Sequence, residues 1–332
     1  MKAQRLIRRS FTTISTMSSS TVTSSPFSNA VVGAMRKLYP EALADKSFDN
    51  TGLLLEAPQR SNAKLAKSAL LTIDLTQAVA EEAIKGEHSI VISYHPIIFR
   101  PLKSLTLANT QQNSLLRLAS EGISVYSPHT AVDAVSGGLN DWLADIVTQT
   151  KDNVSDHTRK VINAVPDLSV LPEHFSSAGY GRIVTFSGPQ TLGALVQRIM
   201  TGLATSSNTQ VQAGVSVAVP QKYLDGQRSD IPIKTIGICA GSGGSMLNGL
   251  DVDLLFTGEL SHHEALAAIE AGRCVVTAFH SNSERAFLEQ RMMPALRKTV
   301  VEELGGDEDF SIDVSQVDRD PYQIITAGQE TW

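Results

Sequence analysis

The chain has 332 residues, of which 42% are hydrophobic and 19% are charged, which is enough apolar sequence for one large or two modest globular domains. Its net charge of −6 argues against a direct nucleic-acid-binding surface, which needs clustered lysine and arginine. No run approaches the ~18 consecutive apolar residues that cross a bilayer, so we expect no membrane association. The two cysteines, Cys239 and Cys274, lie in apolar runs and are expected to be buried and reduced.

The first 28 residues are basic, rich in serine and threonine, and free of acidic residues. This composition is typical of a mitochondrial transit peptide, and the lack of a continuous apolar stretch argues against a secretory signal. A disordered tail is the alternative. Met17 could serve as an internal start, so we expect a mitochondrial protein, a cytoplasmic protein, or both forms.

Two α/β lobes are predicted, over residues 29–150 and 151–332, and we expect the C-terminal segment to pack back on the first lobe. The first lobe opens with a helix near Asn29, and residues 67–95 then read as strand, helix and strand. That order is typical of mixed sheets flanked by helices. The polar stretch from about 150 to 178 is expected to be an irregular linker between the lobes.

The order of helix, glycine, strand and polar loop recurs in residues 113–133 and 263–284. In both cases the glycine follows the helix, where a left-handed residue fits. The loops beyond the carboxyl ends of strands form the crevice in which open α/β sheets bind ligands. Five of the eight histidines fall in such loops: His95, His129, His262, His263 and His280.

Imidazole and carboxylate groups on strand-end loops are suitable ligands for a divalent metal. The candidate ligands are His95, Asp133, His280 and Glu284. His280 and Glu284 are four residues apart, so a helix that starts after the strand would place both on one face. The alternative for Glu284 is a capping box with Ser281, and that for Asp133 is a favourable position at the start of a helix.

The segment GELSHHEALAA predicts a helix whose first turn is closed by a capping box of Ser261 and Glu264. This places His262 and His263 in the first turn, facing the crevice, where they could contact a substrate. The glycine-rich segment CAGSGGSML could offer backbone donors to a phosphate or form a plain tight turn. It lacks the lysine and the spacing of a Walker loop, and we assign no residue to an organic cofactor.

Several motifs, in a fixed order, give the chain a specific resemblance to a known family: FDNTGLLL, SYHPIIF, SPHTAVDAVSGGLNDWLA, GYGRI, GSGG, TGELSHHEALAA, HSNSERAFL and DRDPYQII. Over about residues 29–332 they resemble the Nif-three-like family, also called GTP cyclohydrolase I type 2 homologues. The resemblance implies two related α/β lobes and, as in bacterial members, a toroidal homohexamer. It also implies that His95, Asp133, His280 and Glu284 are metal ligands, which favours ligation over capping for Glu284.

Tyr94 departs from the bacterial pattern, in which two histidines precede the proline, and is typical of the eukaryotic branch. A phenol has a pKa of about 10 and binds metal well only when it is deprotonated. Tyr94 could be a weak ligand, a hydrogen-bond donor to a metal-bound water, or a core residue. We therefore expect up to two divalent ions per subunit, with Zn, Mn, Fe and Ni all suited to the ligands. The interval between Asp133 and His280 leaves little room for an inserted regulatory-type domain, and none is predicted.

Two functions follow from the resemblance. The first is a metal-dependent hydrolase acting on a nucleotide-like small molecule, with His129 or His262 moving protons; the family label points to ring opening of GTP. The second is a non-catalytic oligomeric binding or regulatory protein that interacts with a transcriptional coactivator and holds structural or vestigial metals.

Overall fold

The computed structural model describes residues 23–59, 65–149, 156–204, 214–223 and 226–323. Residues 1–22, which hold most of the predicted leader and the alternative start Met17, lie outside these ranges. Among the helices within them, none is long and apolar enough to cross a membrane.

Two mixed β-sheets form the framework. The first sheet has the strand order β1 (Gly52–Leu55), β4 (Ser124–Ser127), β3 (Ile90–Ser93), β2 (Ser68–Thr72) and β11 (Ser311–Val314). Strand β1 is antiparallel to β4, and the other neighbours in this sheet are parallel. The second sheet has the order β5 (His157–Ala164), β6 (Gly179–Thr191), β8 (Pro232–Ser242), β9 (Leu254–Glu259), β10 (Cys274–Thr277) and β7 (Ser216–Ala218). Its strands β8, β9 and β10 are parallel neighbours, whereas β5, β6 and β7 pair antiparallel.

Helices cover both faces of the sheets, which confirms the predicted fold class. They are α1 (Pro26–Leu38), α2 (Gln77–Lys85), α3 (Thr110–Glu121), α4 (Thr130–Ala134), α5 (Leu139–Thr148), α6 (Leu192–Gly202), α7 (Gly244–Leu247), α8 (His262–Glu270), α9 (Arg285–Phe287) and α10 (Met293–Glu303). A π-helical turn, Leu288–Met292, joins α9 to α10. Helices α2 and α3 pack on the outer face of the first sheet, and α7 and α8 on the outer face of the second. The remaining helices contribute to a core that both sheets share.

The alternation of side chains along the strands explains these layers. In β2, Leu71 belongs to the shared core while its neighbour Leu70 faces α2 and α3. In β9, Phe256 belongs to the shared core while Leu255 faces α7 and α8. Apolar residues on both faces are required because helices cover both faces. Because the two sheets share this core, the carboxyl ends of strands from both sheets lie next to each other.

A buried ion pair also joins the two predicted lobes. Arg182 of β6 donates from Nε and Nη2 to the two carboxylate oxygens of Asp141 in α5, each at 2.8 Å. Burial tends to raise the pKa of Asp141, but the guanidinium lowers it below its ordinary value. Arg182 also donates to the carbonyl oxygen of Val135, which follows α4. These bonds fix the position of the α4 segment against the second sheet.

The structure corrects two predicted boundaries. The stretch expected to be a linker contains β5, an edge strand whose exposed and half-buried residues alternate, so its polar composition suits one solvated face. Helix α1 begins at Pro26, three residues before the predicted start of the first lobe. Ser25 accepts a hydrogen bond from the Ser28 backbone N–H, and proline fits the first helical position, so the start signal lies inside the leader-like composition.

His88 gives the fold a testable pH dependence. It is buried before β3, and its Nδ1 lies 2.7 Å from Ser68 Oγ. Burial lowers the pKa of His88 below its ordinary value, against the raising effect of Asp313 and Glu82. Above pH ~6.5 the ring is neutral in the folded and unfolded chain. As the pH falls below that value, the unfolded chain binds a proton that the folded chain resists, so stability decreases.

We therefore expect the stability of the wild type to fall more steeply than that of His88→Asn between pH 7 and pH 5. The asparagine amide can keep a bond to Ser68 but cannot titrate. Urea unfolding at several pH values measures the difference, and parallel curves would contradict the assignment.

Candidate metal centre

Three histidine rings lie close together beyond the ends of β3, β4 and β10. The ring centroids of His95 and His280 are 5.2 Å apart, and those of His95 and His129 are 5.5 Å apart. His95 follows β3 by two residues, His129 precedes α4, and His280 follows β10 by three residues. The crevice predicted from the strand order is therefore the place where the two sheets bring their histidines together.

The backbone is unusual at two of these positions. His129 has φ 31° and Phe279, the residue before His280, has φ 65°. Left-handed conformations in residues other than glycine cost of order 1–3 kcal/mol and persist where the surrounding contacts enforce them. Both positions lie directly at the histidine rings. Strained backbone conformations of this kind are common in functional sites.

Each of the three histidines pairs through Nδ1 with a carboxylate. The pairs are His95 with Asp74 at 2.9 Å, His129 with Asp49 at 2.7 Å, and His280 with Glu259 at 2.9 Å. A carboxylate at Nδ1 holds the proton there and leaves Nε2 as the atom that can bind a metal or accept a proton. These three carboxylates were missed in the sequence analysis.

A repeated spacing could have identified two of them. Asp74 precedes His95 by 21 residues, and Glu259 precedes His280 by the same 21 residues. In each case a strand end carries the carboxylate, a helix of nine residues intervenes, and the next parallel strand leads to the histidine. Each predicted lobe thus contributes one carboxylate–histidine pair to the site.

Glu284 lies between His95 and His280. Its Oε2 is 3.5 Å from His95 Nε2, and its Oε1 is 3.5 Å from His280 Nε2. The side chain is only 2% exposed, and Oε2 has no hydrogen-bond partner. One ligand atom from each of the three residues lies within 4.8 Å of the others, so this cluster could hold a metal ion.

The protonation of His95 depends on these carboxylates. Burial alone would lower its pKa, but Glu284 and Asp74 outweigh burial and raise the pKa to about 10. At neutral pH and without a cation, the His95 imidazolium therefore balances the buried Glu284 charge. Because a metal ligand must be deprotonated, a cation that binds here has to displace this proton.

Gly241 provides the space for the cluster. A Cβ atom at this residue would lie 2.8 Å from Glu284 Oε1 and 3.0 Å from His280 Nε2, and its φ of +59° also favours glycine. The Gly241 N–H donates to Ser283 Oγ at 2.8 Å. Its neighbour across the strands, Gly258, would bring a Cβ within 2.6 Å of the Gly241 carbonyl oxygen. Glycine at these two positions therefore allows β8 and β9 to pack closely against the His280–Glu284 segment.

The alternative role of Glu284 as a helix cap is wrong. Neither Ser281 nor Glu284 makes a side-chain cap bond at this helix start. Ser281 Oγ instead donates to Asp320 Oδ2 at 2.7 Å and accepts from Arg285 Nη2 at 2.9 Å. The Ser281 hydroxyl therefore bonds to the C-terminal segment through Asp320, and the Glu284 carboxylate lies against His95 and His280.

Asp133 lies beside this cluster but outside the group of three. Its Oδ1 accepts a hydrogen bond from the Tyr94 hydroxyl at 2.7 Å. Burial raises the pKa of Asp133 to about 6, against the lowering effect of His129 and of the Tyr94 bond. Burial also raises the pKa of Tyr94 well above its ordinary value, and the charges of Asp133 and Glu284 raise it further. Tyr94 is thus a buried, protonated donor to Asp133, and the role of Asp133 as a ligand stays a prediction.

His262 and His263 lie elsewhere. Both are exposed in the first turn of α8, where the predicted capping box of Ser261 and Glu264 is confirmed. The helix packs Ala268 against the outer face of the second sheet. Neither histidine is among the described residues that line the cleft, and contact of His262 or His263 with a substrate stays a prediction.

The cluster lines a cleft of about 1000 Å³, a size that suits a small-molecule site. His95, His280 and Glu284 form part of the cleft wall, and Tyr94, His129 and Asp133 lie on the same wall. Aromatic and apolar side chains complete much of the remaining wall: Phe48, Pro96, Phe99, Val165, Pro166, Tyr180 and Met246.

Comparisons with known proteins agree with the motifs. Residues 28–321 match the family described as Duf34/NIF3 (NGG1p interacting factor 3). The chain is 45% identical over 295 residues to the Protein NIF3 homolog of Schizosaccharomyces pombe, covering 88% of this chain and 95% of that protein. It is 35% identical over 301 residues to the NGG1-interacting factor 3 of Saccharomyces cerevisiae, covering 89% and 96%. The fold is similar to the crystal structure of a Bacillus cereus protein related to NIF3, with a TM-score of 0.64 at 18% identity over 90% of this chain and 98% of that one.

Proposed function

This chain belongs to the Duf34/NIF3 family, and we propose that it is a divalent-metal-dependent hydrolase acting on a nucleotide-like small molecule. One observation carries the proposal. The buried Glu284 carboxylate lies between the Nε2 atoms of His95 and His280 at the wall of a large cleft. A buried charge of this kind is costly unless a cation or a proton balances it.

The donor set fits a catalytic metal site. Two imidazoles and one carboxylate are the protein ligands found around catalytic zinc, and they also suit Mn, Fe and Ni. Three protein ligands leave a position open for a substrate. We propose one ion per subunit on His95, His280 and Glu284. A second ion would use Asp133, whose Oδ1 is already engaged by Tyr94.

The bound cation would supply Lewis-acid polarisation of an electrophilic carbon or phosphorus and would make water more acidic. His129 would move the proton. Its Nδ1 is held by Asp49 at 2.7 Å, so Nε2 is the atom available for proton transfer. Burial of Asp49 opposes its ionisation, but its bonds to His129 and Thr130 lower its pKa, so a carboxylate remains to stabilise a charged imidazole. Hydrolytic opening of a purine ring is one reaction of this class.

The proposal predicts metal-dependent turnover that requires His129. We expect purified full-length protein, loaded with Zn, Mn, Fe or Ni, to hydrolyse at least one compound of a nucleotide and nucleoside panel. His129→Ala should lower the rate by roughly 10²- to 10⁴-fold, the usual contribution of a general acid or base, while keeping its metal by elemental analysis. His174→Ala, which changes an exposed histidine that does not line the cleft, is the matched control and should turn over normally. Absence of turnover with every metal would count against catalysis.

A non-catalytic binding protein is the second candidate, favoured by an exposed apolar segment. Leu102, Leu105 and Leu107, between β3 and α3, are all exposed, and such patches are typical of interaction surfaces. The name of the Saccharomyces cerevisiae relative describes an interaction with NGG1. We propose a protein partner, or assembly of several copies in a ring, for this surface. Metal binding without turnover, together with an oligomeric mass in light scattering, would support this function.

A further inference from the structure

The charges around the cleft argue against a polyphosphate ligand. Among the described residues that line it, four carboxylates face one ammonium group, one imidazolium and no guanidinium: Asp45, Asp133, Asp167 and Glu284 against Lys46 and His95. Proteins bind phosphates through lysine, arginine or backbone N–H groups. A divalent cation that displaces the His95 proton would still leave the wall negatively charged. A triphosphate, which carries several negative charges, is therefore a poor electrostatic match.

A row of aromatic rings leads to the metal cluster. The centroids of Phe48 and Phe99 are 6.3 Å apart, those of Phe99 and His129 are 6.4 Å apart, and His129 lies 5.5 Å from His95. Phe48 and Phe99 are 53% and 46% exposed. Large exposed rings at a cleft offer the faces on which planar ligands stack.

Polar groups near these rings could recognise the edge of a planar ligand. Asn163, Ser242 and Ser245 line the same cleft and supply hydroxyl and amide groups. Such groups both donate and accept hydrogen bonds without adding charge. An apolar cleft with a few neutral polar groups is typical of a site for an uncharged heterocycle.

We propose that the cleft binds a planar, uncharged aromatic heterocycle of nucleobase to nucleoside size, stacked on Phe99 and Phe48, and discriminates against its polyphosphate form. This inference rests on the proposed function, because the heterocycle would be the part of the substrate that lies next to His95, His280 and Glu284. It differs from that function in naming the class of ligand and the residues that select it.

The test is a binding titration of the full-length protein with matched ligands. The probes are neutral nucleobases, nucleosides and pterins, with the monophosphate and triphosphate of each nucleoside, measured by calorimetry in metal-free and metal-loaded protein. We expect at least one neutral probe to bind at least ten-fold more tightly than its triphosphate in both states. Its affinity should change little with ionic strength, because no charged contact is involved.

Variants of the two phenylalanines identify the stacking surface. Phe99→Leu and Phe48→Leu keep an apolar side chain but remove the ring face, and each should weaken binding of the neutral probe by roughly ten-fold or more. Tyr322→Leu removes an exposed ring outside the cleft and should bind the probe like the wild type. Metal content by elemental analysis should be the same in all three variants.

Three results would overturn the inference: triphosphates that bind as tightly as nucleosides, unchanged affinity in both phenylalanine variants, or no neutral probe binding below about 1 mM. The proposed hydrolase activity fails separately. Ring-dependent binding of a neutral probe without turnover would leave this inference standing and remove the hydrolase, whereas turnover of a triphosphate with weak nucleoside binding would do the reverse.

Discussion

Glu284→Gln is expected to abolish tight metal binding and to leave the metal-free protein about as stable as the wild type. Glu284 supplies the anionic ligand of the group that it forms with His95 and His280. An amide oxygen is a much weaker ligand for the transition metals that two imidazoles favour. A metal present at one hundred times its Kd stabilises a folded protein by about 2.7 kcal/mol, and the variant should lose this gain.

The metal-free variant should remain folded because the partner of Glu284 can titrate. Removing one member of a buried ion pair is usually destabilising because the other charge is left alone. Here the other charge is the His95 imidazolium, whose raised pKa depends on Glu284 and Asp74. With the carboxylate replaced, the imidazole can release its proton at neutral pH. The variant also loses a buried carboxylate oxygen that has no hydrogen-bond partner.

Thermal unfolding with and without added Zn²⁺, together with elemental analysis, measures both effects. The wild type should gain a Tm increase on the order of 5 °C from the metal, and Glu284→Gln should gain none. Glu264→Gln is the matched control, because Glu264 closes the α8 capping box away from the cluster. A Glu284→Gln protein that retains its metal, or one that is unfolded without metal, would refute the assignment.

Asp318→Asn is expected to destabilise the protein by about 3–5 kcal/mol, the usual effect of leaving a buried charge without its partner. Asp318 Oδ2 accepts hydrogen bonds from the Ile73 N–H at 2.8 Å and from Arg285 Nη1. Both charged side chains are buried, and Arg285 Nε already lacks a partner. An asparagine keeps an acceptor for Ile73 but leaves the Arg285 guanidinium without its counter-charge.

The same substitution should weaken metal binding, because Asp318 connects the two halves of the site. Ile73 precedes Asp74, the carboxylate that orients His95, and Arg285 directly follows Glu284. The C-terminal segment that carries Asp318 is held on the first sheet by the parallel pairing of β11 with β2. Loss of the Asp318 charge therefore loosens the alignment of His95 with Glu284.

Urea unfolding of the metal-free protein measures the stability change, and a metal titration measures the Kd. Asp313→Asn is the matched control, since Asp313 lies on β11 of the same segment but is exposed. It should change stability by less than ~0.5 kcal/mol and leave the Kd unchanged. Wild-type stability in Asp318→Asn would mean that the Arg285 charge is balanced by other groups.

Several features of this protein could be predicted from local sequence. Helix α3, the left-handed Gly122 and strand β4 were predicted, as were α8, Gly272 and β10. Each depends on residues within about twenty positions, through hydrophobic periodicity and the conformational freedom of glycine. Strand β5 was missed because an edge strand with one solvated face has the polar composition of a loop.

The strand ends that carry His95, His129 and His280 are predictable from the local sequence, because side-chain periodicity and glycine stops are local properties of the chain. Which of these side chains meet depends on the packing of the two sheets. Ser281, the predicted partner of a Glu284 cap, bonds to Asp320 instead, and Glu284 lies between two histidines. His262 does not line the cleft, and its helix packs Ala268 on the outer face of the second sheet. Such choices depend on which residues, distant along the chain, become neighbours when the two sheets close on one core, and local periodicity carries no information about that.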